Sequence, residues 1–218
     1  MSQKVNDIYY ADILQEYLSV KFSNNFNREV SESLDNTISL ALNLGIDINF
    51  LKRRRLSRIQ VVVNTLENYR PKNLLDIGAG KGYLLWPLLE TNSKIRIMAV
   101  DIVPAVGKRL SQIAQATRFD LQTACCDGEN LPLKSNSFGA VTMLQVLEHT
   151  GAPQRMINEA CRVSKHLVLA TVPSKPDTNP EHIHLFNKGL LEAMFKMAGA
   201  TFIRLEEYET CLSVFAEV

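Results

Sequence analysis

The sequence predicts an α/β protein: a doubly wound, mostly parallel seven-stranded sheet that ends in an antiparallel hairpin and follows a helical N-terminal cap. Three observations carry this prediction. After Pro71, near-continuous apolar runs alternate with helical patterns, as expected for strands covered on both faces. The first of these runs, Leu74-Leu75-Asp76-Ile77, turns at once through Gly78-Ala79-Gly80-Lys81-Gly82. The last two runs, residues 201–205 and 212–218, are joined by a short link that allows an antiparallel hairpin but no crossover.

Residues 1–70 read as the helical cap and residues 71–218 as the sheet domain. In the cap, Ile8, Ile13, Tyr17 and Phe22 keep a rough helical stripe. Val30, Leu34, Ile38 and Leu42 repeat at every fourth residue, and Leu56, Ile59, Val63 and Leu66 make a further apolar face. Gly45 suits a C-cap, and Pro71 stops the third helix. In the sheet domain, strands are expected at 74–77, 95–100, 121–126, 140–144 and 167–172, ahead of the two hairpin strands. Helices are expected at 81–89, at 104–116 with Pro104 in its first turn, at 153–163 and at 190–197.

Composition narrows the function. The hydrophobic fraction of 46% supports a full core, and the net charge of +1 argues against a long nucleic-acid track. No apolar run is long enough to span a bilayer, and the N-terminus has no secretory apolar stretch. The cysteines, Cys125, Cys126, Cys161 and Cys211, lack metal-ligand spacing, and the adjacent pair suits a buried strand. A reduced, cytoplasmic protein is expected; the oligomeric state stays open.

The glycine spacing selects the ligand. A dinucleotide fingerprint counted from Gly78 would place its third glycine at residue 83, which is Tyr83; the glycine falls one place earlier, at Gly82. With Asp76 at the strand end the pattern is D-x-G-x-G-x-G, which resembles motif I of the class I S-adenosylmethionine-dependent methyltransferases. The turn is expected to bring bare N–H groups and a helix N-terminus against the ligand.

Later segments extend the resemblance over roughly 72–218. Val100-Asp101-Ile102 ends the second strand, where a carboxylate can accept hydrogen bonds from ribose hydroxyls; the alternative is an acid at a helix N-terminus. Asp127-Gly128-Glu129-Asn130-Leu131-Pro132 is similar to the D-[AG]-E-x-L-P segment whose Asp reaches the adenine amino group; Asp-Gly is also a common turn. Val146-Leu147-Glu148-His149 matches the family's V-L-E-H, with Gln145 beside the methionine part of the cofactor. The resemblance therefore implies S-adenosyl-L-methionine held by Asp76, Gly78, Ala79, Gly80, Gly82, Asp101, Ile102, Asp127, Gly128, Glu129 and Gln145.

Glu148, His149 and His184 are the candidate catalytic residues. His149 reads as a base for the acceptor's proton or as a hydrogen-bonded loop histidine. His184 matches a histidine at the start of the helix before the hairpin, by packing or by catalysis. Residues 173–186 carry Pro173, Pro176 and Pro180 and read as a lid-like loop. Gln145 stands where a related E-x-x-E-H segment has its first metal-binding acid, so no metal is expected, although Glu148, His149, His182 and His184 could cluster. Lys52-Arg53-Arg54-Arg55 with Arg58 is a solvated helix face or a grip on a substrate anion.

The implied activity is methyl transfer to an O, N or C atom of a small-molecule acceptor, with Tyr9, Tyr10 and Tyr17 of the cap closing over it. A protein or RNA-end acceptor and a non-catalytic cofactor-binding subunit are the alternatives. A nicotinamide dehydrogenase lacks the right glycine spacing.

Overall fold

The computed structural model describes residues 10–21, 34–43, 46–48, 51, 56–91, 94–117 and 119–218. Helices α1 (Ala11–Lys21), α2 (Leu34–Asn43) and α3 (Ser57–Tyr69) precede the sheet. The order then runs β1 (Asn73–Ile77), α4 (Leu85–Thr91), β2 (Arg96–Asp101), α5 (Pro104–Thr117), β3 (Leu121–Cys125) and β4 (Phe138–Leu144). A 3-10 turn (Leu147–His149) leads to α6 (Pro153–Val163), β5 (Ser164–Pro173), α7 (Lys188–Met197), β6 (Phe202–Tyr208) and β7 (Cys211–Glu217).

The sheet order is β3-β2-β1-β4-β5-β7-β6, with β7 antiparallel to both β5 and β6 and the other pairs parallel. Strand order reverses between β1 and β4, so a crevice opens beyond their carboxyl ends. Asn73 ties these two strands at their other end: its side chain donates to the Ser137 carbonyl and accepts from the Gly139 N–H, both at 2.9 Å.

Alternation along the strands makes two cores. Leu74 faces one core with Leu14, Leu18, Val63, Trp86 and Ile113. Leu75 and Ile77 face the other, built from Met156 and Ile157 of α6 and Leu191 and Phe195 of α7. Helix α6 presents one apolar face, and Asn187 caps α7 by accepting the Leu190 N–H at 2.9 Å.

Some expectations are corrected. The helix after the glycine turn begins at Leu85, not at residue 81, because Gly80 and Gly82 have φ of +51° and +74°, outside the right-handed helical region. Cys125 is exposed and Cys126 half-buried, because β3 is the edge strand and its end borders the crevice. Leu42 is 56% exposed despite its helical period. Tyr10 and Tyr17 do not close over a site: both are buried in the core, where α1 packs on α5 and α2. Ile8, Tyr9, Phe22, Val30, Gly45 and the basic run 52–55 lie outside the described residues. Among the described residues, no helix is long and apolar enough to cross a membrane.

Trp86 locks the glycine turn from beneath. Its indole N–H donates to the Lys81 carbonyl at 2.9 Å, and a Cβ on Gly82 would stand 2.5 Å from its ring. Gly82→Ala is expected to lose about 2 kcal/mol or more in urea unfolding, from left-handed strain plus the clash. Gly107→Ala, in α5 with open space for a Cβ, is expected to gain about 0.5–1 kcal/mol. Equal behaviour of the two variants would remove the argument.

Candidate active site

The site begins where β1 ends. Gly78, Gly80 and Gly82 all have positive φ, and the turn they make is closed on itself. The N–H groups of Gly78 and Ala79 donate to the Val100 carbonyl at 2.8 and 3.2 Å. The Gly80 N–H donates to Asp101 Oδ2 at 2.9 Å, and the Gly82 N–H to the Ala79 carbonyl at 2.8 Å. These groups are therefore not bare, and the helix N-terminus lies beyond them at Leu85. A phosphate seat needs free N–H groups, so this turn is built for a ligand without phosphate at that place.

Asp101 is the pivot. Its Oδ1 accepts the Val103 N–H at 2.9 Å while Oδ2 holds Gly80, which leaves each oxygen one further lone pair. Around it lies a cavity of about 740 Å³ whose walls include Gly78, Asp101, Ile102, Asp127, Gln145 and His149. Ile102 is 67% exposed beside it, an apolar side chain placed to cover a flat ring. Gly128 is buried in its floor, where a Cβ would come within 2.7 Å of Ile77 and 2.9 Å of Met156. Asp127 is exposed, with Oδ1 accepting the Glu129 N–H at 2.9 Å.

A second cavity of about 240 Å³ shares Gly78, Gly80 and Gln145 as walls, and adds Arg58, Asp76, Lys81 and Tyr83. Asp76 is buried and accepts from Thr142 Oγ1 at 2.7 Å. Burial pushes its carboxyl up to about 7; the Thr142 hydrogen bond opposes that and the Asp101 charge adds to it. Arg58 Nε is buried with no hydrogen-bond partner. Gln145 holds φ +58° at the end of β4, a strained conformation for a residue with a side chain, pinned by its N–H to the Thr171 carbonyl at 2.8 Å.

The remaining expected residues divide. Glu129 borders the large cavity, but its carboxylate is engaged by the Thr150 hydroxyl and by the Ala152 N–H at 3.0 Å, which hold it below the usual range. It clamps the loop before α6, and a ligand would meet its surroundings more than its charge. His149 lines the cavity, with Nδ1 3.1 Å from the Glu181 carbonyl. Glu148 is fully buried behind the wall, and burial pushes its carboxyl up to about 7. His184 also sits off the wall, its Nε2 2.9 Å from the Thr150 carbonyl. Glu148 and His184 are therefore not placed to touch an acceptor in the cavity.

Two participants escaped the sequence reading, whereas Val146, expected beside the methionine part of the cofactor, is on the cavity wall. Thr142 sits in no motif. Arg58 was grouped with a surface run; its place beside Ile59, inside the apolar face of α3, was the signal that it turns inward.

A doubly wound sheet whose strand order reverses between β1 and β4 is a Rossmann-like architecture. Residues 75–168 match the family model of a methyltransferase domain, and this resemblance implies S-adenosyl-L-methionine as the cofactor. A malonyl-[acyl-carrier protein] O-methyltransferase of Halorhodospira halophila is 34% identical over 88 residues, 40% of this chain and 28% of that protein. A tRNA U34 carboxymethyltransferase of Cellvibrio japonicus is 28% identical over 116 residues, 51% and 36% of the two chains. The chain thus spans about a third of the length of these relatives. A solved S-adenosylmethionine-dependent methyltransferase from Aquifex aeolicus shares the fold, with a TM-score of 0.58 and 18% identity over 74% of this chain and 97% of that one.

The cavity residues fit that cofactor. It has no phosphate, which suits a turn whose N–H groups are engaged. It has a ribose for the open lone pairs of Asp101 and a flat base for the space between Ile102 and Asp127.

Asp76 gives this region a pH signature. Its folded pKa is raised from 3.8 to about 7, so its favourable contribution is complete below about pH 4 and is lost as pH rises through about 7. Against Asp76→Asn, which keeps an acceptor for Thr142, the parent is expected to lose relative thermal stability between those pH values. A pH-independent gap between the two melting curves would refute the assignment.

Proposed function

We propose that the protein transfers the methyl group of S-adenosyl-L-methionine to a nucleophilic atom of a small-molecule acceptor. The observation that carries this reading is the pair of cavities meeting at Gly78, Gly80 and Gln145. The larger one offers Asp101 to a ribose and Asp127 with Ile102 to an adenine. The smaller one offers a carboxyl at Asp76 and guanidinium and ammonium groups at Arg58 and Lys81, the complement of an amino acid's two charges. When bound, the cofactor supplies an electrophilic methyl on sulfur with a good leaving group.

The chain's own work is to hold two partners in line and to keep water out. Gln145, common to both cavities, stands where the two halves of the cofactor would join. The acceptor then meets the large cavity at its far end, beside His149, Thr150, Gly151 and Glu181. Residues 1–70 take part in this reading through α3, whose Arg58 and Ile59 border the smaller cavity.

A second reading keeps the reaction and changes the acceptor to a group carried on a protein or an RNA. The names of the two partial relatives favour it, since one refers to an acyl-carrier protein and the other to a tRNA. The run 52–55 would then contact that partner, and charge reversal there should weaken transfer in a salt-dependent way.

Asp101→Ala is expected to weaken cofactor binding by about 10- to 100-fold in titration calorimetry, the range for losing charge-assisted hydrogen bonds. Unchanged affinity would end the ribose assignment. His149→Gln is expected to bind cofactor like the parent and to lose at least about tenfold in methyl transfer to fractionated cell extract. Label confined to the macromolecular fractions would put the second reading first.

A further inference from the structure

Beside the acceptor end, Glu148, His149 and His182 converge: one ligating atom of each lies within 4.8 Å of the other two. Glu148 is fully buried, yet neither carboxylate oxygen has a hydrogen-bond partner. Buried carboxyl groups are ordinarily hydrogen-bonded, paired with charge or bound to a metal; since Arg58, whose charge acts on Glu148, makes no hydrogen bond to it, this one needs a further explanation. Its surroundings supply one. Nδ1 of His149 lies 3.1 Å from the Glu181 carbonyl oxygen, and Nδ1 of His182 lies 2.7 Å from Asp177 Oδ2. Both partners only accept, so in the neutral imidazole each Nδ1 carries the proton and each Nε2 is left with a lone pair. Imidazoles fixed in this way, by a carbonyl and by a carboxylate, have the outer-shell support typical of metal-bound histidines. The two rings stand edge to face with centroids 4.7 Å apart.

We propose that Glu148, His149 and His182 bind a divalent transition-metal ion of the zinc, manganese and iron(II) group. One carboxylate with two imidazoles suits these ions, whereas magnesium and calcium favour all-oxygen sites. Metal–ligand distances of about 2.0–2.2 Å would follow from small rotations of the three side chains. Three protein ligands leave coordination positions open, and His149 lies on the cavity wall, so those positions border the acceptor. They would take an oxygen donor of the acceptor, a hydroxyl or a carboxylate.

Two expectations from the sequence change with this assignment. The absence of a metal was argued from Gln145, but Gln145 is engaged with Thr171 and is not one of the ligands; His182, from the loop after β5, supplies the third. A ligated His149 also has no lone pair left for the acceptor's proton, so its role becomes holding the ion. That acceptor role rests on the methyltransferase reading; metal binding itself does not.

The test uses the full tag-free chain, stripped with a chelator and titrated with Zn²⁺ and with Mn²⁺ alone, with cofactor binding measured on the same samples. One ion per chain is expected, with at least about tenfold weaker binding in Glu148→Gln and in His182→Ala, and about 10- to 100-fold weaker binding in Asp177→Asn, which touches only the outer shell. Cofactor affinity should stay at the parental value in all three, which also shows that they fold. If the parent binds no ion more tightly than Glu148→Gln does, Glu148 is a buried protonated acid and the site is disproved. Metal binding without cofactor binding in the parent would instead overturn the methyltransferase reading and leave the site standing.

Discussion

The carboxylate of Asp101 holds together the part of the molecule on which everything else depends. It lies at the end of one strand and grips the turn that leaves the next, through the Gly80 N–H, while the Val100 carbonyl beside it takes the N–H groups of Gly78 and Ala79. A chain leaving β1 can fold back against β2 this tightly only if it passes through left-handed backbone with no side chains in the way. Gly78 shows how little room there is: a Cβ there would stand 2.5 Å from Val146. The glycines are thus a consequence of the closure, and the closure fixes the shape of both cavities. It also bears on which ligands fit, since the N–H groups of Gly78, Ala79, Gly80 and Gly82 are engaged and not offered to a phosphate.

Two carboxyl groups in this region stand out because folding works against their charge. Asp76 and Glu148 are both buried, and burial pushes each up to about 7. A core acid with no task is readily replaced by an apolar residue, so such positions point to function. Their surroundings separate the tasks. Asp76 borders a small cavity opposite Arg58, and Thr142 already occupies one of its oxygens, so it is suited to meet a cation of a bound molecule. Glu148 feels the Arg58 charge but has no hydrogen-bond partner on its oxygens, and it faces two oriented imidazoles.

Much of this was legible in the sequence because the signals were local. The sheet showed as apolar runs after Pro71, the hairpin as a short link, and the crevice as acids at 76, 101 and 127 on strand ends. What stayed hidden depends on neighbours distant in the chain. The helical pattern continues through residues 81–84, but three left-handed glycines delay the helix to Leu85. The polar face of Glu129 reads the same whether it meets a ligand or Thr150, which lies 21 residues on. Glu148 and His149 are adjacent letters, yet one is fully buried and the other exposed, although their ligating atoms converge with that of His182. Arg58 looked like a surface cation because helical period alone does not say where α3 meets the sheet.

The same reasoning changes how the loop after β5 should be understood. Its prolines and polar residues suggest a lid, but three contacts pin its far half to the loop after β4. The Ile183 N–H donates to the Glu148 carbonyl at 2.9 Å, His184 Nε2 meets the Thr150 carbonyl at 2.9 Å, and His149 meets the Glu181 carbonyl. Thr150 is in turn held by Glu129 from the loop after β3. The acceptor end is therefore a braced rim made of three loops, tied to one another and standing apart from the glycine turn. Such a division lets the cofactor half keep one geometry while the acceptor half varies, since changes at 181–184 reach Asp101 only through the whole width of the site. It also explains His184 without chemistry of its own: a histidine that holds the Thr150 carbonyl keeps the rim closed, and His149 and His182 are the two rings left facing the carboxylate of Glu148.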